Sequence, residues 1–317
     1  MQESYVKTDV KTGQSRKEAR SLLELVGNTP LLKLNNETWG LKGVEIYAKA
    51  EWFNPGGSVK DRPVLWMIRD ALEQGQLQWG MTLLDATSGN TGIAIAMLGA
   101  AMGFGTKLVI PANVSRERQA ILRSYGAELV LTDSLGGTDV AQRVASRIHQ
   151  MDPDGTYYLD QYNNPANWRA HYESTAEEIL RQTGGEITHF VAGIGTGGTL
   201  VGTGRRLKEV NPSIRVVGMQ PGSPLHGIEG LKHMESSLKP GIFDPSVQDM
   251  EFFVETEEAQ EHAKLLAKRE GFLVGTSSGA VLVACLRLAQ ELPEGRIVTI
   301  FPDRGERYLS ENYWEER

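Results

Sequence analysis

Short β-rich apolar runs alternate with longer helical patterns along most of this chain, and each helical stretch is bounded by Gly, Pro or a capping residue such as Ser115. Parallel strands need a crossover of a dozen or more residues, commonly a helix. The rhythm therefore confines the chain to an α/β fold with mostly parallel sheets flanked by helices. The spacing predicts strands at about 45–50, 81–86, 107–111, 128–132, 189–192, 215–220 and 296–301. It predicts helices near 60–74, 91–102, 115–124, 137–150, 166–182, 198–209, 256–269 and 279–291. Recurrence of strand, glycine turn and helix is the only internal repetition, and no solenoid-type period is present.

At 317 residues the chain is about twice the common single-domain length, which predicts two lobes of one architecture. The segment Asp160–Pro165, rich in Asn with a terminal Pro, breaks both kinds of regular structure and is a candidate crossing between lobes. A second irregular stretch, Pro221–Asp249, is long enough to expect a functional loop. With 33 basic against 40 acidic residues the net charge is −7, which argues against a general nucleic-acid binder; an anionic ligand must be held locally. Cys285 is the only cysteine, so no intrachain disulfide is expected, a cytoplasmic address fits, and its apolar neighbours point to a buried structural thiol. The first twenty residues carry charges and no apolar core, so neither a signal peptide nor a membrane anchor is expected there. No apolar run reaches membrane-spanning length. The histidines show no metal-ligand spacing, and there is no G-x-S-x-G elbow and no Walker lysine, so no metal site is expected.

The residues richest in chemistry are Lys49 to Arg62, where Asn54-Pro55-Gly56-Gly57-Ser58-Val59 sets Lys60 behind a tight turn at the start of a helical pattern. A solvated lysine is the bland reading. A cation at a helix N-terminus is mildly disfavoured, however, which lowers its pKa towards that of a usable amine nucleophile or base. Asp61 and Arg62 read most simply as a helix-start charge and a surface partner. Three glycine-rich loops follow. Gly193 to Thr199, with Gly195, Thr196, Gly197, Gly198 and Thr199, joins a strand to a helix, so unpaired N–H groups and the positive end of the dipole converge on an anion such as a phosphate. The same loop matches G-x-G-x-x-G, but the next strand ends in Gly218-Met219-Gln220 without the acid a nicotinamide site wants, which weakens a dehydrogenase reading. The second loop, Thr87-Ser88-Gly89-Asn90-Thr91-Gly92, suits a carboxylate, or is a capped helix start and nothing more. Gly275-Thr276-Ser277-Ser278-Gly279 has the same form and the same alternative.

Taken together, Asn54 to Arg62, Thr87 to Gly92, Gly195 to Thr199 and Gly275 to Gly279 resemble the fold-type II pyridoxal-phosphate enzymes, and within them the cysteine synthase, or O-acetylserine sulfhydrylase, family. Gly27 to Leu31, Asp160 to Pro165, Pro240 to Phe243 and Asp303 to Ser310 extend the similarity over about residues 22–312, the last two towards the B isozyme. The resemblance implies an N-terminal arm over 1–20, a larger cofactor-binding lobe from 21–62 and 164–317, and a smaller mobile lobe over 63–163 that takes the substrate carboxylate. It implies a pyridoxal 5'-phosphate cofactor joined to Lys60, its phosphate on Gly195 to Thr199, its ring hydroxyl near Asn90 and its ring nitrogen facing Ser277. It places the substrate carboxylate on Thr87, Ser88, Gly89, Asn90, Thr91 and Gln161. The implied reaction forms L-cysteine from O-acetyl-L-serine and sulfide or a related thiol donor through an aminoacrylate, in a homodimer that can bind the serine acetyltransferase tail. Neighbouring possibilities are a β-synthase using homocysteine, cyanide or O-phosphoserine, or chiefly a binding partner of that acetyltransferase. At Gly227-Ile228-Glu229-Gly230 the chain departs from the B isozyme, which carries arginines after Gly-Ile that are associated with larger anionic donors such as thiosulfate; Lys232 is the candidate replacement charge.

Overall fold

The computed structural model describes residues 21–87, 89–134 and 137–314, so the expected arm over 1–20 lies outside the described residues. Ten strands appear among those described: β1 (Leu31–Lys33), β2 (Val44–Ala50), β3 (Thr82–Ala86), β4 (Gly105–Pro111), β5 (Glu128–Thr132), β6 (Thr156–Tyr158), β7 (His189–Gly193), β8 (Arg215–Pro221), β9 (Met250–Val254) and β10 (Gly295–Phe301). They form a six-stranded sheet in the order β1-β2-β10-β7-β8-β9 and a four-stranded sheet in the order β5-β4-β3-β6. Every pairing is parallel except β1 with β2, so the α/β class and the two mostly parallel sheets stand as read.

Near-continuous apolar sequences make the central strands, because both of their faces are covered. Phe190, Val191 and Ala192 of β7 and Ile297, Val298, Ile300 and Phe301 of β10 are all buried. Helices Thr256–Glu270 and Thr276–Glu291 cover one face of the larger sheet, packing Leu266, Val281 and Leu282 with Ile46 and Val217. Helix Gly198–Val210 covers the other, packing Leu200 and Leu207 with Phe190 and Val298. The smaller sheet is sandwiched likewise, with helices Asp61–Glu73 and Asn90–Met102 on one side and Gly137–Met151 on the other. Each such fully buried side chain is worth about 1.5–3 kcal/mol. Cys285 lies in the larger core, where burial pushes its thiol up to about 12.

The sequence pattern misses β1, β6 and β9. β1 and β6 have three residues each, and β9 is an edge strand whose Met250 and Phe253 stay exposed, so none presents the long apolar run that marks a strand. The expected helix over 166–182 is in fact Pro165–Ala170, a wide π-turn at His171–Thr175, and Ala176–Thr183. At that turn the backbone approaches helix Gly198–Val210 so closely that a Cβ on Gly202 would lie 2.0 Å from the Trp168 carbonyl oxygen. Such π-turns recur at functional sites.

Arg62 overturns its expected surface role. It is 1% exposed and locked between two carboxylates: Nε donates to Glu51 Oε2 at 2.7 Å and Nη1 donates to Glu178 Oε1 at 2.6 Å. Lys49 Nζ adds a contact of 2.6 Å to Glu178 Oε2, so two cations meet two anions. Burial pushes Glu178 up, but the Arg62 hydrogen bonds and charge outweigh it and hold the group down to about 2. Because the whole first turn of helix Asp61–Glu73 is buried, side chains that look like surface charges in sequence are enclosed. Replacing Arg62 by Met leaves Glu51 and Glu178 with a single cation. A loss of about 3–5 kcal/mol in urea-unfolding free energy is expected, whereas an unchanged midpoint would show that the cluster does not hold this helix start.

Candidate active site

Between the two sheets lies a cavity of 360 Å³ whose floor includes Lys60. The strand ends that reach it are carboxyl ends: Thr87 follows β3, Gly193 closes β7 and Pro302 follows β10. This is where open parallel sheets place ligands. Lys60 is the residue immediately before helix Asp61–Glu73. The turn in front of it is fixed from three sides: the Val59 N–H donates to the Pro302 carbonyl at 2.8 Å, Gly57 takes φ +77°, and the Gly56 N–H donates to Asp61 Oδ2 at 2.5 Å. A Cβ on Gly56 would lie 2.5 Å from Asp61 Oδ1, so the turn closes only with glycine there. Burial lowers the Lys60 pKa, with Asp303 and Glu51 opposing, so the amine sits below its ordinary value as a nucleophile or base requires.

Gly195, Thr196, Gly197 and Thr199 line the cavity wall opposite, and Gly198 lies buried behind it at the start of its helix. Gly197 has φ +86°, and a Cβ on Gly195 would meet the Gly230 carbonyl oxygen at 2.2 Å. The first N–H groups of that helix have no intrahelical acceptor. Thr196 Oγ1 accepts from the Gly198 N–H at 3.3 Å and from Asn167 Nδ2 at 3.3 Å, so this hydroxyl is held in place from both sides. Thr199 Oγ1 lies 3.3 Å from His171 Nε2, whose other nitrogen meets Thr175 Oγ1 at 2.9 Å. Burial pushes His171 down to about 3, with Arg62 adding to the effect, so it is neutral. A glycine cradle of backbone donors, two threonine hydroxyls and a low-pKa lysine across the cavity fit a phosphorylated aldehyde cofactor.

The second loop forms the remaining wall. Thr87 Oγ1 accepts from the Gly89 and Gly92 N–H groups at 3.3 and 3.2 Å, curling the chain into helix Asn90–Met102. Thr91 Oγ1 donates to Gln161 Oε1 at 2.8 Å, and Gln161 Nε2 donates to the Ala86 carbonyl at 3.1 Å. Thr87, Gly89, Asn90, Thr91 and Gln161 all line the cavity; Ser88 lies outside the described residues. Ser277 also lines it, from the first turn of helix Thr276–Glu291, so the third glycine-rich segment is already helical from Thr276. The Ser278 hydroxyl beside it is buried without a partner.

Several residues around the cavity were not read as site residues from the sequence. Asn167 and His171, from the helix and π-turn after Pro165, stand behind the glycine cradle on Thr196 and Thr199, and Thr138, Asp139, Tyr162, His226 and Glu229 line the cavity. At the mouth, Arg118 of helix Arg116–Ser124 makes a two-pronged ion pair with Glu229, its Nη2 donating to Oε2 at 2.5 Å. Lys232 lies 3.5 Å from Asp139 and 5.0 Å from the Tyr162 ring centre, so its charge is already engaged. Asp61, read as a simple helix-start charge, is fully enclosed, and burial raises its carboxyl to about 7 against the Gly56 hydrogen bond. A raised acid stabilises the fold below its unfolded pKa and loses that contribution between about pH 4 and about pH 7. Asp61→Asn should therefore gain about 2–3 kcal/mol relative to the parent on going from about pH 5 to about pH 8. Parallel stability curves from denaturant titrations would show that Asp61 stays ionised throughout.

The family model described as "Pyridoxal-phosphate dependent enzyme" matches residues 22–303. Fold and site together thus define a pyridoxal-phosphate-dependent enzyme built from two α/β lobes. The chain is 57% identical to cysteine synthase of Aquifex aeolicus, covering 93% of this chain and 92% of that one. It is 42% identical to cysteine synthase B of Escherichia coli, covering 93% and 96%. Among solved structures, cysteine synthase from Entamoeba histolytica superposes with a TM-score of 0.91 at 33% identity, covering 98% and 95%. The chain belongs to the cysteine synthase family and is similar to its B isozyme.

Proposed function

We propose that the protein forms L-cysteine from O-acetyl-L-serine and sulfide by replacement at Cβ. The observation that carries this is the single cavity uniting Lys60 with the glycine cradle and the Thr87–Thr91 loop. Bound there, pyridoxal phosphate would supply an electron sink for the charge left on Cα when its proton departs. Lys60 Nζ would tether the cofactor at rest and, as a free amine, take the Cα proton. Gly195 to Thr199 would hold the phosphate, with Asn90 for the ring hydroxyl and Ser277 for the ring nitrogen; a serine there, unlike a carboxylate, would not favour a full positive charge on the ring. Thr87, Ser88, Gly89, Asn90, Thr91 and Gln161 bind the substrate carboxylate at the start of helix Asn90–Met102, where N–H groups and dipole favour an anion. Acetate leaves Cβ, hydrosulfide adds there, and Lys60 returns a proton to Cα. The smaller lobe, 63–163, moves relative to 21–62 and 164–317 and closes on the carboxylate to exclude water.

Lys60→Ala is expected to lower cysteine formation by more than about a thousandfold with an unchanged circular dichroism spectrum; near-parent turnover would remove Lys60 from the chemistry.

Both cations at the mouth already have partners, Arg118 with Glu229 and Lys232 with Asp139, which favours hydrosulfide over donors or acceptors that add a carboxylate, a phosphate or a second negative charge. Sulfide should therefore exceed thiosulfate and homocysteine, and O-acetylserine should exceed O-phosphoserine, by at least about tenfold in kcat/KM in competition assays. Equal use of any of these would move the assignment to the corresponding β-synthase. Homodimerisation, a cytoplasmic address and capture of the serine acetyltransferase tail rest on family membership. Among the described residues no helix is long and apolar enough to cross a membrane.

A further inference from the structure

The geometry points to Asp303 as a positioning residue: a buried carboxylate that fixes the Asn90 amide in one orientation and holds a negative charge towards Lys60. This rests on the cofactor site of the function proposed above, not on its substrates. Asp303 is 1% exposed and does not line the cavity, yet it touches the segments that carry Lys60, Asn90 and Ser277. Its backbone bridges to Ser58, two residues before Lys60. Its carbonyl accepts from the Gly275 N–H at 3.2 Å, two residues before Ser277. Its carboxylate Oδ2 accepts from Asn90 Nδ2 at 2.6 Å and also from the Tyr308 hydroxyl.

The other end of the Asn90 amide is held as well, because Arg307 Nη1 donates to Asn90 Oδ1 while its Nη2 donates to the Gly56 carbonyl. A carboxylate against the amide nitrogen and a guanidinium against the amide oxygen allow only one of the two flips. Asn90 therefore meets the cavity with its remaining N–H already aimed. Asp303 Oδ1 has no partner, and a Cβ on Gly275 would lie 2.3 Å from it, so glycine is what leaves room for this oxygen beside the Ser277 helix.

The charged and titratable groups facing Asp303 are Lys60, Arg307 and Tyr308, with Arg118, Glu229 and Tyr313 further out. Burial raises the Asp303 pKa, and Tyr308, Asn90, Arg307 and Lys60 oppose that rise. For Lys60 the same pair acts in the other sense, with burial favouring the neutral amine while Asp303 and Glu51 favour a positive charge on Nζ. Asp303 therefore tunes the proton state of the nitrogen that tethers the cofactor without touching it.

The test is the visible absorption of the holoenzyme across about pH 6 to about pH 10 for the parent, Asp303→Asn and Asp303→Glu. Asparagine keeps an acceptor for Asn90 and Tyr308 but removes the charge. The band of the protonated bound cofactor should then fade at a pH lower by about one unit or more, whereas Asp303→Glu, which keeps the charge, should follow the parent. Curves for parent and Asp303→Asn that coincide, or shifts that are equal in both variants, would overturn the proposal, since a merely structural role does not distinguish losing the charge from keeping it. If Asp303→Asn does not fold, Tyr308→Phe, which removes a hydrogen bond that favours the charged carboxylate, takes its place with the same expected direction. The readout needs bound cofactor and no turnover, so a parent enzyme that shows the band but makes no cysteine would sink the function proposed above and leave this inference standing.

Discussion

The structure depends on Arg62 being clamped between Glu51 and Glu178. Glu51 follows the second strand of the larger sheet, Glu178 belongs to helix Ala176–Thr183, and Arg62 lies two residues after Lys60. The guanidinium therefore ties the segment before the lysine and a distant helix to the first turn that carries it. Buried ion pairs recover their desolvation cost only with good geometry and balanced charge. Here Lys49 supplies the fourth charge, so the cluster is neutral as a whole. Its rigidity is passed to the 54–60 turn, which is short, glycine-dependent and docked on Pro302 and Asp303.

From that fixed point the electrostatics of the cavity follow. Burial disfavours charge on Lys60 and on Asp303 alike, and each partly offsets the cost for the other. Two helix N-termini, at Gly198 and Asn90, turn the positive ends of their dipoles to the same space, which favours anions there although the chain as a whole carries −7. The surplus negative charge is kept off the ligand by pairing: Glu229 is neutralised by Arg118 and Asp139 by Lys232. The rim is thus polar yet balanced, which suits a small second substrate.

What was legible in the sequence follows from periodicity and glycine. Central strands buried on both faces read as apolar runs, and tight turns that tolerate no Cβ read as glycine clusters, so the α/β class, the long helices and the three loops stood out. Residues lining the cavity from loops with a strand before and a helix after, such as Thr196 and Asn90, were found for the same reason. Arg62, Asp61 and Asp303 were misjudged or left without a role because a charged letter looks the same on a surface and in a sealed cluster. Asn167 and His171 escaped because a π-turn changes which side chains share a face without changing the apolar pattern that announces a helix.

The class of fold, the lysine behind its glycine turn and the positions of the anion-binding loops are written into the order of residues, because they are local consequences of side-chain alternation, missing Cβ atoms and unpaired helix ends. Which charges are enclosed, and with whom, came from the folded arrangement. Arg62 meets Glu51 and Glu178, Asp303 meets Asn90, and Glu229 meets Arg118, across separations of up to 213 residues. Such pairings depend on how segments distant in the chain are brought together, and the free energy of an ion pair is set by burial and distance, neither of which is a property of one segment of chain.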